Sequence, residues 1–278
     1  QTEDLGLAMS TPGLAYQADF ENERRWLTLD LLSGWVNGAH VLFDWITGNG
    51  ISRASLAWYE RNACMPEVVG INHYVTSNRF LDERLSCYPP CSHGGNARQP
   101  YADVEAIRVH EAPFVSPAQL LCAAWTRYGV PVAITEAHMG CTREEQMRWL
   151  MEIWKGAEQA RSQGAVVRAV TAWSLLGAYD WDSLVTLERG HYEPGAFDVR
   201  GTDPRPTALC GVLKALAVGR TPSHAVLEGP GWWRRDVRAL YRRDDVELEH
   251  EEGQVRTTRE ILITGARGTL GQVFARVC

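Results

Sequence analysis

From about residue 66 the chain repeats one alternation. A short run of β-branched and apolar residues is followed by an amphipathic stretch of helical period. "EVVGINHYV" (67–75), "VPVAIT" (130–135) and "VVRAVTAWSLL" (166–176) are the runs. Between the first two, Leu120, Leu121, Ala124, Trp125 and Tyr128 mark one helix face; Ser116 can cap it, Pro117 suits its first turn and Gly129 its end. Met147, Leu150, Met151, Trp154 and Ala157 stripe the next helix, which Thr142 and Glu145 open with capping-box spacing. Residues 207–218 form a last helix, closed by Gly219. Upstream, residues 1–5 read as the end of a strand, and 21–32 and 53–61 as helices. Residues 1–219 therefore amount to roughly four β/α units. Such units pair their strands in parallel, so the fold class is α/β, either barrel or doubly wound.

Composition excludes several functions. The chain has 278 residues, is 45% hydrophobic and carries a formal net charge of −6. A chain of that charge lacks the basic footprint of a nucleic-acid binder. No apolar run approaches the roughly 18 residues of a membrane span. Seven cysteines, an odd number scattered along the chain, read as reduced thiols in a cytoplasmic protein. Gln1 opens the chain inside a strand-like run and Cys278 closes it inside a helix-like one, so it reads as a stretch of a longer protein.

Three strand ends carry polar and aromatic residues where a core strand would simply stop. The first holds Asn72, His73 and Tyr74, the second Glu136 and His138, the third Trp173, Asp180 and Trp181. In a β/α barrel the strand C-termini converge on one mouth, where the chemistry sits. A carboxylate flanked by Trp faces and an Asn/Tyr pair suits sugar chemistry: Trp stacks on a pyranose, Asn and Tyr bond hydroxyls or orient the carboxylate, and the carboxylate attacks or stabilises an oxocarbenium-like centre.

These residues resemble the C-terminal half of a family 1 glycoside hydrolase, a retaining (β/α)8 barrel enzyme. "GINHYVTSNRF" resembles that family's strand-6 motif, "VAITEAH" its strand-7 motif and "TAWSLLGAYDW" its strand-8 motif, in the right order. The resemblance implies the C-terminal half of a TIM barrel over 1–219, strands 5–8, with a saccharide or glycoside as partner and no cofactor or metal. It implies Glu136 as nucleophile, Tyr74 as its hydrogen-bond partner, and Asn72 near the sugar 2-hydroxyl. Trp173 would be the sugar platform, with Asp180 and Trp181 reading distal hydroxyls. Two departures are visible: Ala137-His138 stands where the family has Asn-Gly, and Asp180 stands where it has Glu. The family's Asn-Glu-Pro acid/base motif is absent; Glu3 is the tempting substitute but reads as a strand-5 end. Half a barrel leaves two strand edges unpaired, which favours self-association.

Residues 220–259 are charged and punctuated by Pro and Gly, and read as a linker or irregular extension. Within them Trp232 and Trp233 read as an anchor onto a domain, and the Arg pairs at 234–235 and 242–243 as solvated. Residues 260–278 begin a new unit, with Gly265, Gly268 and Gly271 between a strand and a helix start. That turn seats a dinucleotide pyrophosphate. It resembles the start of a Rossmann domain of dTDP-4-dehydrorhamnose reductases, which implies NAD(P) binding by a truncated C-terminal domain. The alternative function is then a nucleotide-sugar oxidoreductase with the barrel as an accessory sugar-binding domain. Cys87, Cys91 and His93 have loosely ligand-like spacing but no second ligand pair, and read as a Pro-rich loop rather than a zinc site.

Overall fold

A parallel four-stranded sheet carries the strand ends singled out above. β1 (Thr2–Asp4) leads to β2 (Ala8–Ser10) and to helices α1 (Ala15–Arg24), α2 (Leu27–Leu32), α3 (Phe43–Gly48) and α4 (Arg53–Arg61). Then come β3 (Val69–Tyr74), β4 (Arg79–Asp82), β5 (His93–Gly95) and β6 (Pro100–Glu105). α5 (Pro117–Tyr128), β7 (Val132–His138), α6 (Arg143–Ser162) and β8 (Val167–Ala172) follow. β9 (Ala178–Tyr179) pairs with β10 (Tyr192–Glu193), β11 (Phe197–Asp198) pairs with β12 (Arg205–Pro206), and α7 (Ala208–Ala217) is the last helix. The computed structural model describes residues 2–235, 238, 240 and 241. These belong to a unit that ends at Arg242; residues 243–278 form a second. The Gly265 turn and the Arg pair at 242–243 lie outside the described residues.

The main sheet runs β1-β3-β7-β8, all parallel. This is the α/β class that the alternation predicts, built as part of a barrel. Among the described residues β1 pairs only with β3 and β8 only with β7, so both edges of this sheet are open. A second sheet, β2-β4-β6-β5, is mixed. The sequence reading missed it because its strands are three to six residues long and are interrupted by Pro and Gly.

α5 and α6 pack on one face of the main sheet. Both start as the sequence predicts. Ser116 Oγ accepts the Gln119 N–H while Gln119 Oε1 accepts the Ser116 N–H, and Gly129 ends α5 in the left-handed region at φ 67°. Thr142 caps α6 through the Glu145 N–H. The two helices approach closely at Gly156, where a Cβ would lie 2.8 Å from Pro117 Cβ. Beneath them Val69, Ile71, Val132 and Ile134 are fully buried. Asn72, Tyr74, Glu136 and His138, by contrast, are only half-buried. The sheet thus has a sealed helix face and an open concave face.

The segment after 219 is more than a linker. Trp233 is 2% exposed within the main core and meets Trp149 edge-on at 5.2 Å. Arg234 stacks over Phe114 at 3.8 Å and bonds Glu152 at 2.7 Å, while Arg235 bonds Glu145 at 2.6 Å. The 234–235 pair thus stays partly exposed, as the sequence suggests, while its guanidinium groups pair with carboxylates of α6.

A buried polar knot ties α2 to α5. Asp30 is fully buried. Arg127 bonds it at 2.6 and 3.2 Å, the Tyr128 hydroxyl at 2.7 Å and His40 Nε2 at 3.2 Å. Burial, then the bond to Asp30, holds the Tyr128 phenol well above its ordinary range. Among the described residues no helix is long and apolar enough to cross a membrane.

Candidate active site

Strand alternation decides which side chains reach the concave face. On β3, Ile71 faces the helices, so Asn72 faces the concave side, His73 the helices and Tyr74 the concave side. On β7, plain alternation from buried Ile134 would turn Glu136 into the helix layer. The register shows otherwise. Ile71 pairs with Ile134, but the next residue, Asn72, pairs with Glu136. Thr135 is therefore an extra residue, a β-bulge, and it returns Glu136 to the face of Asn72. The β7–β8 register agrees, since Ile134 to Ala137 spans three residues opposite the two from Val170 to Ala172. Thr135 Oγ1 donates to Asn72 Oδ1 at 2.8 Å and ties the bulge to β3.

The bulge brings Tyr74 and Glu136 together: the phenol donates a short hydrogen bond to Glu136 Oε2. Burial, then the Glu136 bond and charge, push the Tyr74 phenol far above its usual range, so it remains a donor through neutral pH. Tyr74→Phe would leave that carboxylate without the donor. A hydrogen bond to a charged group is worth about 1.5–3 kcal/mol, so under the role proposed for Glu136 below, glycosyl transfer to it is expected to slow by about 10- to 150-fold. Pre-steady-state kinetics with an activated aryl glycoside measures this; an unchanged rate would remove Tyr74 from the site.

Beside this pair, His138 Nδ1 meets the Trp173 carbonyl at 3.1 Å and Nε2 lies 3.4 Å from Glu193 Oε2. Trp173 and Trp181 stand 5.7 Å apart, tilted by 37°. The structure therefore gathers Asn72, Tyr74, Glu136 and His138 on adjacent strands and sets the two Trp rings together. A cavity of about 670 Å³ takes Tyr74, His138, Trp181 and Glu193 into its wall. Glu193 escaped the sequence reading: it sits on two-residue β10, and no local pattern marks so short a strand.

The Asp180 carboxylate is held by its own loop. It accepts the backbone N–H groups of Arg189, Gly190 and His191 at 3.1, 3.2 and 2.7 Å. The side chain, one methylene shorter than Glu, folds back to close its own loop. On β1, Glu3 pairs with helix-facing Ile71, the wrong parity for an acid/base at the mouth, whereas Asp4 pairs with concave-facing Asn72. Asp4 accepts from Ser77 Oγ and the Gly6 N–H, and desolvation outweighs both bonds to hold its carboxyl above the usual range. His93 Nε2 bonds the carbonyls of Leu85 and Tyr88, and among the described residues no group of His, Cys, Asp and Glu could hold a metal ion.

His73 faces the other way. It is 1% exposed, packed 5.5 Å from the Trp149 ring, and neither ring nitrogen has a partner. Burial lowers its pKa to about 4. The folded value lies below the unfolded value of 6.5, so between those pH values the unfolded chain binds a proton that the folded chain refuses. Stability from this group is complete above pH 6.5 and is lost as pH falls toward 4, about 2 kcal/mol of it between pH 7 and 5. His73→Leu is expected to remove that share of acid sensitivity. Urea unfolding of both proteins at the two pH values measures it, and equal losses would contradict the assignment.

No family model matches this chain, and no curated protein matches it. Solved structures do. A family 1 β-glucosidase from Thermotoga maritima superposes with a TM-score of 0.57 at 12% identity, over 80% of this chain and 51% of that one. A β-glucosidase from Thermotoga maritima in complex with methyl acetic acid-substituted glucoimidazole gives 0.56 at 14%, over 80% and 50%. A hyperthermophilic β-glucosidase from Pyrococcus furiosus gives 0.51 at 13%, over 82% and 43%. The chain spans about half the length of the structures it matches. At such identities the likeness is one of fold, part of an α/β barrel.

Proposed function

We propose that this chain supplies the nucleophile side of a retaining glycoside hydrolase site, with Glu136 as nucleophile and Tyr74 as its positioning donor. The observation that carries this reading is the bulge at Thr135, which spends an extra residue to deliver a carboxylate to the open face beside a phenol. In this reading Glu136 attacks the anomeric carbon, a glycosyl ester forms, and water then hydrolyses it. The Tyr74 hydroxyl holds Glu136 Oε2, which leaves the other oxygen for attack. Asn72, one strand over, would face the sugar 2-hydroxyl. Trp173 and Trp181 would stack on the ring.

A retaining site needs a second carboxyl about 5–5.5 Å from the first as proton donor. Glu3 has the wrong parity for it. The test is therefore built to need no general acid. An aryl glycoside with a strongly acidic leaving phenol departs unprotonated, so attack by Glu136 alone suffices for the first step. After mixing and acid quench, mass spectrometry is expected to find one hexosyl adduct on the peptide that contains Glu136, with release of one equivalent of phenol. Phenol release without that adduct, or an adduct elsewhere, would overturn the assignment.

A further inference from the structure

The cavity beside Tyr74 carries more positive charge than a neutral sugar calls for. Arg108, Arg235 and Arg238 line it, and Glu193 is the one carboxylate in its wall among the described residues. Glu193 lies 3.4 Å from His138 Nε2, and Arg235 is answered by Glu145. Arg108 and Arg238 make no ion pair among the described residues, yet both are held in place. Arg238 Nε donates to the Ile107 carbonyl at 3.1 Å, which fixes one side of its fork. The Arg108 guanidinium lies 5.3 Å over the Trp232 ring, and its backbone carbonyl accepts the Tyr241 N–H at 3.0 Å. Two guanidinium groups that line one cavity, neither in an ion pair among the described residues, offer N–H donors to an oxyanion there.

We propose that this cavity takes a saccharide bearing an oxyanion, a phosphoryl or carboxylate group, which Arg108 and Arg238 clamp while Trp181 stacks on the ring. The proposal rests on the saccharide reading of the same site. It adds a charged substrate class to it. Trp181 is 41% exposed and lines the same cavity, so an apolar face and a charged clamp are offered to one ligand.

Calorimetric titration of the full chain tests this with methyl glucoside, glucose 1-phosphate, glucose 6-phosphate, glucuronate and inorganic phosphate. At least one charged sugar is expected to bind about 10- to 100-fold more tightly than methyl glucoside. Raising NaCl from about 20 to about 300 mM is expected to erode that advantage and spare the neutral sugar. Arg108→Gln and Arg238→Gln are each expected to remove most of it without changing methyl glucoside affinity. The salt series needs no variant, so a misfolded variant leaves the test intact. Which charged sugar wins identifies the oxyanion. Equal affinity for charged and neutral sugars would overturn the charged-substrate proposal and leave the glycosidase reading standing. Binding of inorganic phosphate with no binding of any sugar would overturn both.

Discussion

Glu136→Gln is expected to abolish glycosyl transfer, with a loss of at least about 10⁴-fold in the first chemical step. The amide is nearly isosteric with the carboxylate and can still accept from the Tyr74 hydroxyl, so the fold and the cavity should persist. What disappears is the negative charge that, in the proposed mechanism, attacks the anomeric carbon. Because a leaving phenol of low pKa needs no proton, the loss reports on Glu136 and not on a missing acid. Phenol release after rapid mixing, with a thermal melt of the same sample, measures both halves of this expectation. A variant that melts like the parent and still releases phenol at the parental rate would remove Glu136 from the mechanism. A null result in the parent itself would instead mean that this chain does not perform the first step.

The largest effect on stability is expected at Arg127. Asp30 is fully buried, and the Arg127 guanidinium, with bonds of 2.6 and 3.2 Å, is its cationic partner beside His40. Arg127→Met leaves the carboxylate buried with only the Tyr128 hydroxyl and His40. Breaking a buried pair on one side costs about 3–5 kcal/mol, most of it the penalty of a stranded charge. Asp30→Asn with Arg127→Met removes the charge as well, and is expected to recover most of the loss. Urea unfolding of the two single variants and the double one closes a cycle whose coupling term is the prediction. Additive losses would show that Asp30 and Arg127 act separately.

The sheet and the helices on its sealed face were legible because both signals are local. Ser116, Pro117 and Gly129 bound α5 within one turn at each end, and the apolar stripe of α6 runs from Met147 to Ala157, about three turns. Tyr74 and Glu136 were legible as residues, since their motifs stand out from the strands around them. Their meeting was not. It depends on a register between β3 and β7 that only the folded pair defines, and on an extra residue at Thr135 that alternation alone would misplace. Arg108, Arg238 and Glu193 are farther still from any local pattern. They reach the cavity from a turn, a strap after the last helix and a two-residue strand, so nothing nearby in the sequence announces them.

The bulge at Thr135 also sets what kind of genetic change this site can absorb. Substitution at Thr135 would keep the residue count, and with it the side of the sheet on which Glu136 emerges. Removing that single codon would take out the extra residue and place Glu136 directly after helix-facing Ile134, so simple alternation would still turn the carboxylate to the face of Asn72. In a scan of single-codon deletions along β7, removal of Thr135 should therefore leave Glu136 on the open face. The side on which Glu136 emerges follows from its pairing with Asn72, not from its distance in sequence from Ile134.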